Sequence, residues 1–212
     1  AGERVTLDSA PKPITLDNLT LTLIGPLQSN LDNLQKDWMA WLAKNRPPEG
    51  AAGMVDLRKP VAPDQSIPNR SSIMFVAEAN GKRVLMTGDG RASDILRGLT
   101  RAKLLPKDGV FHVDVFKLPH HGSARNNSRK LFSQVTADTY VISANGQNDN
   151  PDLVTLLWLV EAIREQRREV RIVATNMTPH IEEMVALHPP GKSGYELVLL
   201  PAGQREFVIQ VD

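Results

Sequence analysis

The sequence predicts an α/β domain with a mixed sheet and flanking helices, on the basis of three observations. Apolar strand patterns alternate with helical patterns from residue 72 onward, which is typical of parallel strands joined by helices. Hairpin patterns towards both ends of the chain add antiparallel strands. Apolar residues make up 41% of the 212, enough for the core of one domain or most of one. Residues 1–212 show no internal repeat, so we expect a single domain.

The first predicted elements are a strand and an amphipathic helix. LTLTLIG, residues 19–25, alternates apolar and Thr side chains with the period of a half-buried strand, and Pro26 ends it. Ser29 or Asn30 is expected to cap the following helix. Its apolar residues at helical spacing are Leu31, Leu34, Trp38, Trp41 and Leu42. This spacing favours core packing of the tryptophans over a role as ligand platforms.

Residues 45–70 are rich in Pro, Gly and Ala and predict a flexible loop, either disordered or facing a partner. The next strands, SSIMFVAEA and KRVLMTG, are joined by Asn80-Gly81, a strong hairpin signal. The remaining predicted elements are a helix over 91–105, a strand over 113–118, a helix from Arg129, a strand over 139–143, a helix opened by Pro151 at its first position, a strand over 170–176 and a closing hairpin over 195–212.

Two motifs carry candidate chemistry, and the first is Thr87-Gly88-Asp89. An apolar strand ends in a small residue and then a carboxylate, so Asp89 is expected at the sheet edge where α/β proteins bind ligands. Gly88 allows close approach or an unusual backbone angle. Taken alone, this motif is also typical of an ordinary turn.

The second motif is Pro119-His120-His121-Gly122-Ser123, which again follows a strand directly. Two adjacent imidazoles on a loop suit a core poorly, because both rings need hydrogen-bond partners. Neutral imidazole is a common metal ligand near physiological pH. A solvated histidine pair is the alternative interpretation.

Together the motifs resemble the metallo-β-lactamase superfamily, and within it the branch that includes the hydrolase domain of ComEC-type competence DNA-uptake proteins. The resemblance rests on NRSSIMFVAEANGKRVLMTGD, DVFKLPHHGS, YVISANGQNDNP and VATN, and it runs from about Leu19 to the C-terminus. It implies the second half of an αββα sandwich.

By this resemblance Asp89 matches the carboxylate that bridges two metals, and His120 matches the last metal ligand. His121 would then support the site or donate a proton to the leaving group. Ser123 and Lys117 are weaker candidates for orienting His120 or contacting an anionic substrate. The implied cofactor is a pair of zinc ions, with manganese as an alternative.

The superfamily's first motif, H-x-H-x-D-H or a close variant, is absent from this sequence. The five histidines are His112, His120, His121, His180 and His188. His112, His180 and His188 are interpreted as structural. The branch's usual histidine before the later proline is replaced by Asn150. Asp89 and one histidine give two ligands, whereas a catalytic zinc uses three and a water.

Three functions follow as expectations. The first is a metal-dependent hydrolase of a phosphodiester or related ester. It would be completed by an N-terminal half-domain from a separate chain, a cleaved segment or another part of the gene, or by a homodimer partner. The second is an inactive scaffold or partner-binding module. The third is an unrelated α/β domain that binds a small molecule through the loop at Asn145–Asn150.

Composition limits these functions. Lys and Arg total 25 against 24 for Asp and Glu, and this balance gives no sign of a nucleic-acid coat or polybasic membrane anchor, although a local basic groove is still compatible with it. No cysteine is present, so a metal must be held by histidine and carboxylate. No apolar run approaches the roughly 20 residues of a membrane span, and no signal-peptide pattern opens the sequence. A cytoplasmic location is therefore expected.

Overall fold

The structure is a computed structural model that describes residues 5–44 and 62–211, with the backbone alone for residues 41–44. These residues form an eight-stranded sheet whose strands lie side by side in chain order. The strands are β1 (Ile14–Leu16), β2 (Leu19–Gly25), β3 (Met74–Ala79), β4 (Lys82–Met86), β5 (Phe111–Lys117), β6 (Val135–Ile142), β7 (Val170–Ala174) and β8 (Tyr195–Leu199). The α-helices are α1 (Gln28–Lys44), α2 (Ile67–Arg70), α3 (Ala92–Arg101), α4 (Arg129–Gln134), α5 (Leu153–Gln166) and α6 (Pro179–Leu187).

The sheet has an antiparallel half and a parallel half. Strands β1 to β4 pair antiparallel, and β4 to β8 pair parallel. The β3–β4 hairpin turns at Asn80 and Gly81, both in the left-handed region with φ of 53° and 77°, as the Asn-Gly pair predicts. The predicted α/β class with a mixed sheet and flanking helices is therefore confirmed.

One face of the sheet carries a layer of helices. Because parallel crossovers are right-handed, and β4 to β8 advance in one direction, α3, α4, α5 and α6 lie on the same face. The core lies between this layer and the sheet, and its fully buried side chains include Leu85, Phe116, Tyr140 and Ile172. Helix α3 packs closely on β2, since a Cβ at Gly98 would collide with the carbonyl group of Ile24.

The opposite face of the sheet lies away from the four crossover helices. Cross-strand partners share a face, so the register places Phe75 with Met86 and Ala77 with Val84 on this side, away from Leu85. The face is apolar and partly exposed in its antiparallel half, where Leu16 is 55% and Met86 36% exposed. We call this antiparallel half the open face. Exposed apolar surface of this kind is typical of an interaction surface.

Several sequence predictions for the N-terminal part need correction. Helix α1 begins at Gln28, so Ser29 and Asn30 lie inside the helix and do not cap it. Trp38 is 56% exposed, so the prediction that it packs in the core is wrong. Every residue of α1 from 35 to 40 is exposed. The side chains of Trp41 and Leu42 lie outside the described residues. Strand β1 was not predicted.

Later boundaries also differ. Of the predicted loop 45–70, residues 45–61 lie outside the described residues, and residues 67–70 form the short helix α2. Helix α5 begins at Leu153 with Asp152 as its N-cap residue, so Pro151 precedes the helix and is not its first residue. The predicted C-terminal hairpin is wrong, because residues 200–211 contribute no strand. No described helix is both long and apolar enough to span a bilayer.

Candidate functional site

The two predicted motifs lie at one edge of the sheet. Asp89 follows β4, the His120–His121 pair follows β5, and Ser143 and Asn176 follow β6 and β7. The carboxyl ends of parallel strands meet at the same edge, where α/β proteins form ligand sites. The fold therefore brings the carboxylate-bearing and imidazole-bearing segments into one region.

Hydrogen bonds join these segments directly. The main-chain N–H of His120 donates to the carbonyl oxygen of Gly88 over 3.0 Å. The side-chain amide of Asn126, six residues after His120, donates to the carbonyl oxygen of Asp89 over 2.8 Å. Ser72 Oγ accepts from the N–H of Asp89 over 3.0 Å. The positions of Asp89 and His120 are thus fixed relative to each other through the main chain.

The histidine segment has a strained backbone. His120, His121 and Gly122 have φ values of 47°, 57° and 85°, all in the left-handed region. A non-glycine residue held there costs on the order of 1–3 kcal/mol and persists only where its surroundings determine it. The N–H of Ser123 donates to the carbonyl oxygen of His120 over 2.9 Å and closes the turn. Strain of this kind clusters at functional sites.

Both imidazoles are hydrogen-bonded at Nδ1. The His120 Nδ1 lies 2.9 Å from Asn126 Oδ1, and the His121 Nδ1 lies 2.5 Å from the carbonyl oxygen of Ser143. The ring centroids are 6.0 Å apart with planes at 67°. Neither Nε2 makes a hydrogen bond with the described residues, so each ring keeps one nitrogen available.

Asp64 is a member of this site that sequence reasoning missed. It is 4% exposed and accepts hydrogen bonds from Asn69 Nδ2 over 2.8 Å and from the N–H of Ser66 over 2.8 Å. Burial alone would raise the pKa of Asp64, but these bonds, the bond from Asn126 and the nearby His120 outweigh it and hold the pKa below its usual value. The Pro-rich segment around Asp64 offers no spacing pattern that would reveal it.

The weaker candidates occupy supporting positions. Lys117 is half-buried at the end of β5; burial lowers its pKa, and the charge of Asp89 opposes that change. Ser123 is buried and acts in the turn through its main chain. The His180 Nδ1 lies 3.0 Å from the carbonyl oxygen of Asp149 and 2.9 Å from that of Pro151, so this ring contacts the loop that follows β6.

A polar cleft of about 520 Å³ opens beside the histidines. Part of the loop at Asn145–Asn150 lines this cleft, so the loop and the histidine pair face the same space. Amide and hydroxyl groups dominate its walls, with one arginine. Its polar lining residues are His120, His121, Ser143, Asn145, Gln147, Asn148, Asn150, Thr175, Asn176 and Arg205.

The described residues do not by themselves form a catalytic zinc centre. Among residues 5–44 and 62–211, no group of three or more His, Cys, Asp or Glu side chains is placed to hold one ion. Asp89 and His120 have the right donor chemistry, but a catalytic zinc takes three protein ligands.

Comparison with known proteins shows a similarity over part of the chain. The chain matches no protein-family profile. Over 125 residues it is 27% identical to ComE operon protein 3 of Bacillus subtilis (strain 168). The alignment covers 58% of this chain and 15% of that protein, so the chain corresponds to a small part of its relative. The chain is thus similar to a ComE operon protein over somewhat more than half its length.

Proposed function

We propose that this chain carries part of the active site of a metal-dependent hydrolase that acts on a phosphodiester or related ester. The observation that supports it best is the joining of the Asp89 and His120 segments at the carboxyl edge of the sheet by the 3.0 Å bond from His120 N–H to the Gly88 carbonyl. A carboxylate and an imidazole with an available Nε2 suit zinc, and also manganese. In such hydrolases the metal lowers the pKa of a bound water.

The missing ligands must come from outside the described residues. The open face offers a place for their source, because Leu16, Phe75 and Met86 leave apolar surface there for a second layer to cover. An N-terminal half-domain or a second copy of the chain is the proposed partner. It would supply the ligands that a catalytic zinc needs beyond Asp89 and His120.

The cleft beside the histidines suits an anionic substrate. Its amide groups donate hydrogen bonds, and Arg205 contributes a positive charge. His121 is exposed to this space, and its Nδ1 is held by the Ser143 carbonyl. With Nδ1–H committed to that carbonyl, His121 would act as a general acid in its doubly protonated form, passing the Nε2 proton to the leaving oxygen and returning to the neutral ring.

An inactive scaffold or partner-binding module is the alternative. The incomplete ligand set among the described residues favours it. Against it, a purely structural module does not require adjacent histidines in strained left-handed conformations with both Nε2 atoms available. The third expectation, a small-molecule binder, would use the same polar cleft.

The test compares the 212-residue chain with the full natural product of its gene. Zinc and manganese binding is measured by calorimetry, and hydrolysis is measured on a chromogenic phosphodiester. We expect weak binding by the 212-residue chain, and turnover by the full product that is lost in Asp89→Asn and in His120→Gln. His112→Gln is the matched control, because His112 lies at the start of β5, at the opposite end of the strand from His120, with its Nδ1 3.0 Å from Thr136 Oγ1.

The outcomes separate the alternatives. Unchanged metal binding and turnover in Asp89→Asn and His120→Gln would refute the proposed site. A full product that folds but neither binds metal nor hydrolyses the substrate would favour the scaffold instead. Loss of activity in His112→Gln to the same extent would indicate a general structural effect.

A further inference from the structure

Behind the ring of His120, on the Nδ1 side, lies a buried polar network. Its centre is Asn126, which is 1% exposed. The Asn126 Nδ2 donates to Asp89 O over 2.8 Å and to Asp64 Oδ2 over 3.2 Å. Its Oδ1 lies 2.9 Å from His120 Nδ1. One side chain therefore contacts both predicted ligand residues and a buried carboxylate.

The orientation of the Asn126 amide follows from its partners. An amide NH₂ only donates and an amide oxygen only accepts. The carbonyl oxygen of Asp89 and the ionised carboxylate of Asp64 are both acceptors without a proton. The NH₂ group must face these two acceptors, and Oδ1 must face His120.

This orientation fixes the protonation of the His120 ring. Since Asn126 Oδ1 accepts only, the 2.9 Å contact is a hydrogen bond only if His120 Nδ1 carries the proton. The opposite tautomer would bring two lone pairs together at that distance. It would gain only a contact from Asn69 Nδ2 at 3.4 Å, and that amide already donates to Asp64 over 2.8 Å. The 2.9 Å contact with Asn126 Oδ1 is the shorter of the two, so it favours the tautomer with the proton on Nδ1.

Asp64 acts on the ring through Asn126. Its Oδ2 lies 3.7 Å from His120 Nδ1, too far for a direct hydrogen bond. Its own position is fixed by the N–H of Ser66 and by Asn69. A buried carboxylate with these anchors holds the Asn126 NH₂ group in place and so prevents the amide from reversing.

We propose that Asn126, anchored by Asp64, is a positioning residue that holds His120 as the Nδ1–H tautomer and so leaves Nε2 unprotonated as its binding nitrogen. The tautomer stands on hydrogen-bond geometry alone, whereas the use of Nε2 for metal rests on the proposed function. Partners that orient a ligating imidazole typically change metal affinity about 10–100-fold when they are lost.

The experiment is ¹⁵N NMR of the imidazole side chains in the metal-free 212-residue chain, at a pH where the rings are neutral. Long-range ¹H–¹⁵N couplings distinguish the two tautomers. In the natural sequence we expect His120 as Nδ1–H. Asn126→Ala removes the acceptor, so we expect a substantial Nε2–H population at His120, with a smaller one in Asp64→Asn. His121 serves as an internal reference, since Ser143 holds its ring independently.

Asn127→Ala is the matched control. Asn127 adjoins Asn126 and is also buried, but its amide donates to the carbonyl oxygens of Pro119 and Ser123 and does not contact His120. We expect this variant to retain the Nδ1–H tautomer. An equal change of tautomer in both variants would indicate a general loosening of the loop and contradict a positioning role.

Finding His120 as the Nε2–H tautomer in the natural sequence would overturn the inference. This measurement needs no variant, so the inference can be tested even if Asn126→Ala does not fold. Zinc titration of the full gene product is the separate second measurement. There we expect about a 10–100-fold weaker affinity in Asn126→Ala. The expected tautomers combined with no zinc binding in any form would contradict the proposed function and leave the role of Asn126 intact.

Discussion

The main-chain N–H of His120 donates to the carbonyl oxygen of Gly88 over 3.0 Å and joins the loop after β5 to the loop after β4. Gly88 itself lies in the left-handed region with φ of 50°, and a Cβ there would lie 2.9 Å from the Cβ of Ser72. The contact joins main-chain atoms of the loops that follow two neighbouring parallel strands. Displacing either loop would therefore move Asp89 relative to His120.

Gly122→Ala tests how tightly the histidine turn is packed. An alanine Cβ would lie 2.6 Å from Pro151 Cβ, and φ is already 85°. We expect the free energy of unfolding to fall by roughly 2–3 kcal/mol, from left-handed strain plus steric overlap. Gly191→Ala is the control, with φ of 77° and no neighbour within 4 Å, and it should cost only about 1 kcal/mol. Urea unfolding measures both, and equal losses would contradict close packing against Pro151.

Asp152→Ala tests the clamp between the histidine turn and α5. Asp152 Oδ2 accepts from the N–H of Ala124 over 2.7 Å, and its own N–H donates to the carbonyl oxygen of Gly122 over 3.2 Å. Removing the carboxylate leaves the Ala124 amide without its acceptor and should cost about 1–3 kcal/mol. We expect faster hydrogen exchange at Ala124, largely restored in Asp152→Asn, which keeps an acceptor oxygen. Unchanged exchange in Asp152→Ala would show that the turn does not need this bond.

Substitutions at Met86 and Leu85, two adjacent residues of β4, test whether the open face is an interaction surface. Met86 is 36% exposed there, whereas Leu85 is fully buried under the helix layer. Met86→Lys should leave the fold intact and reduce self-association and binding of a hydrophobic dye. Leu85→Lys should unfold the chain, because it buries an unpaired charge. Sedimentation and circular dichroism measure both. Association unaffected by Met86→Lys would argue against this face as the interface.

The raised pKa of Tyr140 predicts that the folded protein loses stability at alkaline pH. Burial raises its pKa from 10.0 to about 12, against the effect of the bond from the N–H of Ala137. The unfolded state then loses its proton before the folded state does, so stability is retained below about pH 10 and falls on the order of 2 kcal/mol as pH rises towards 12. Tyr140→Phe should flatten this part of the unfolding curve, although its stability at neutral pH is lower. An unchanged slope above pH 10 would assign the loss to other groups.

The sequence was informative where a local pattern determines structure. Asn80-Gly81 marked the hairpin, and the strand ends before Asp89 and His120 marked the edge of the sheet. Asp64 and Asn126 were not predictable, because they are 62 residues apart and meet only after folding. Their residue types in loops are more typical of turns. The prediction that Trp38 packs in the core was wrong for a related reason. Helical spacing shows which residues share a face of the helix, but it does not show whether another element covers that face.

The two histidine rings are held by different kinds of acceptor. His121 donates to a main-chain carbonyl at position 143, and every amino acid provides that oxygen. His120 donates to the side chain of Asn126, which few amino acids replace. Among homologues, position 143 is therefore free to vary without releasing the His121 ring, whereas positions 126 and 64 must change together or stay as they are. The evolutionary constraint on this edge of the sheet should be concentrated on residues outside the two motifs that first identify it.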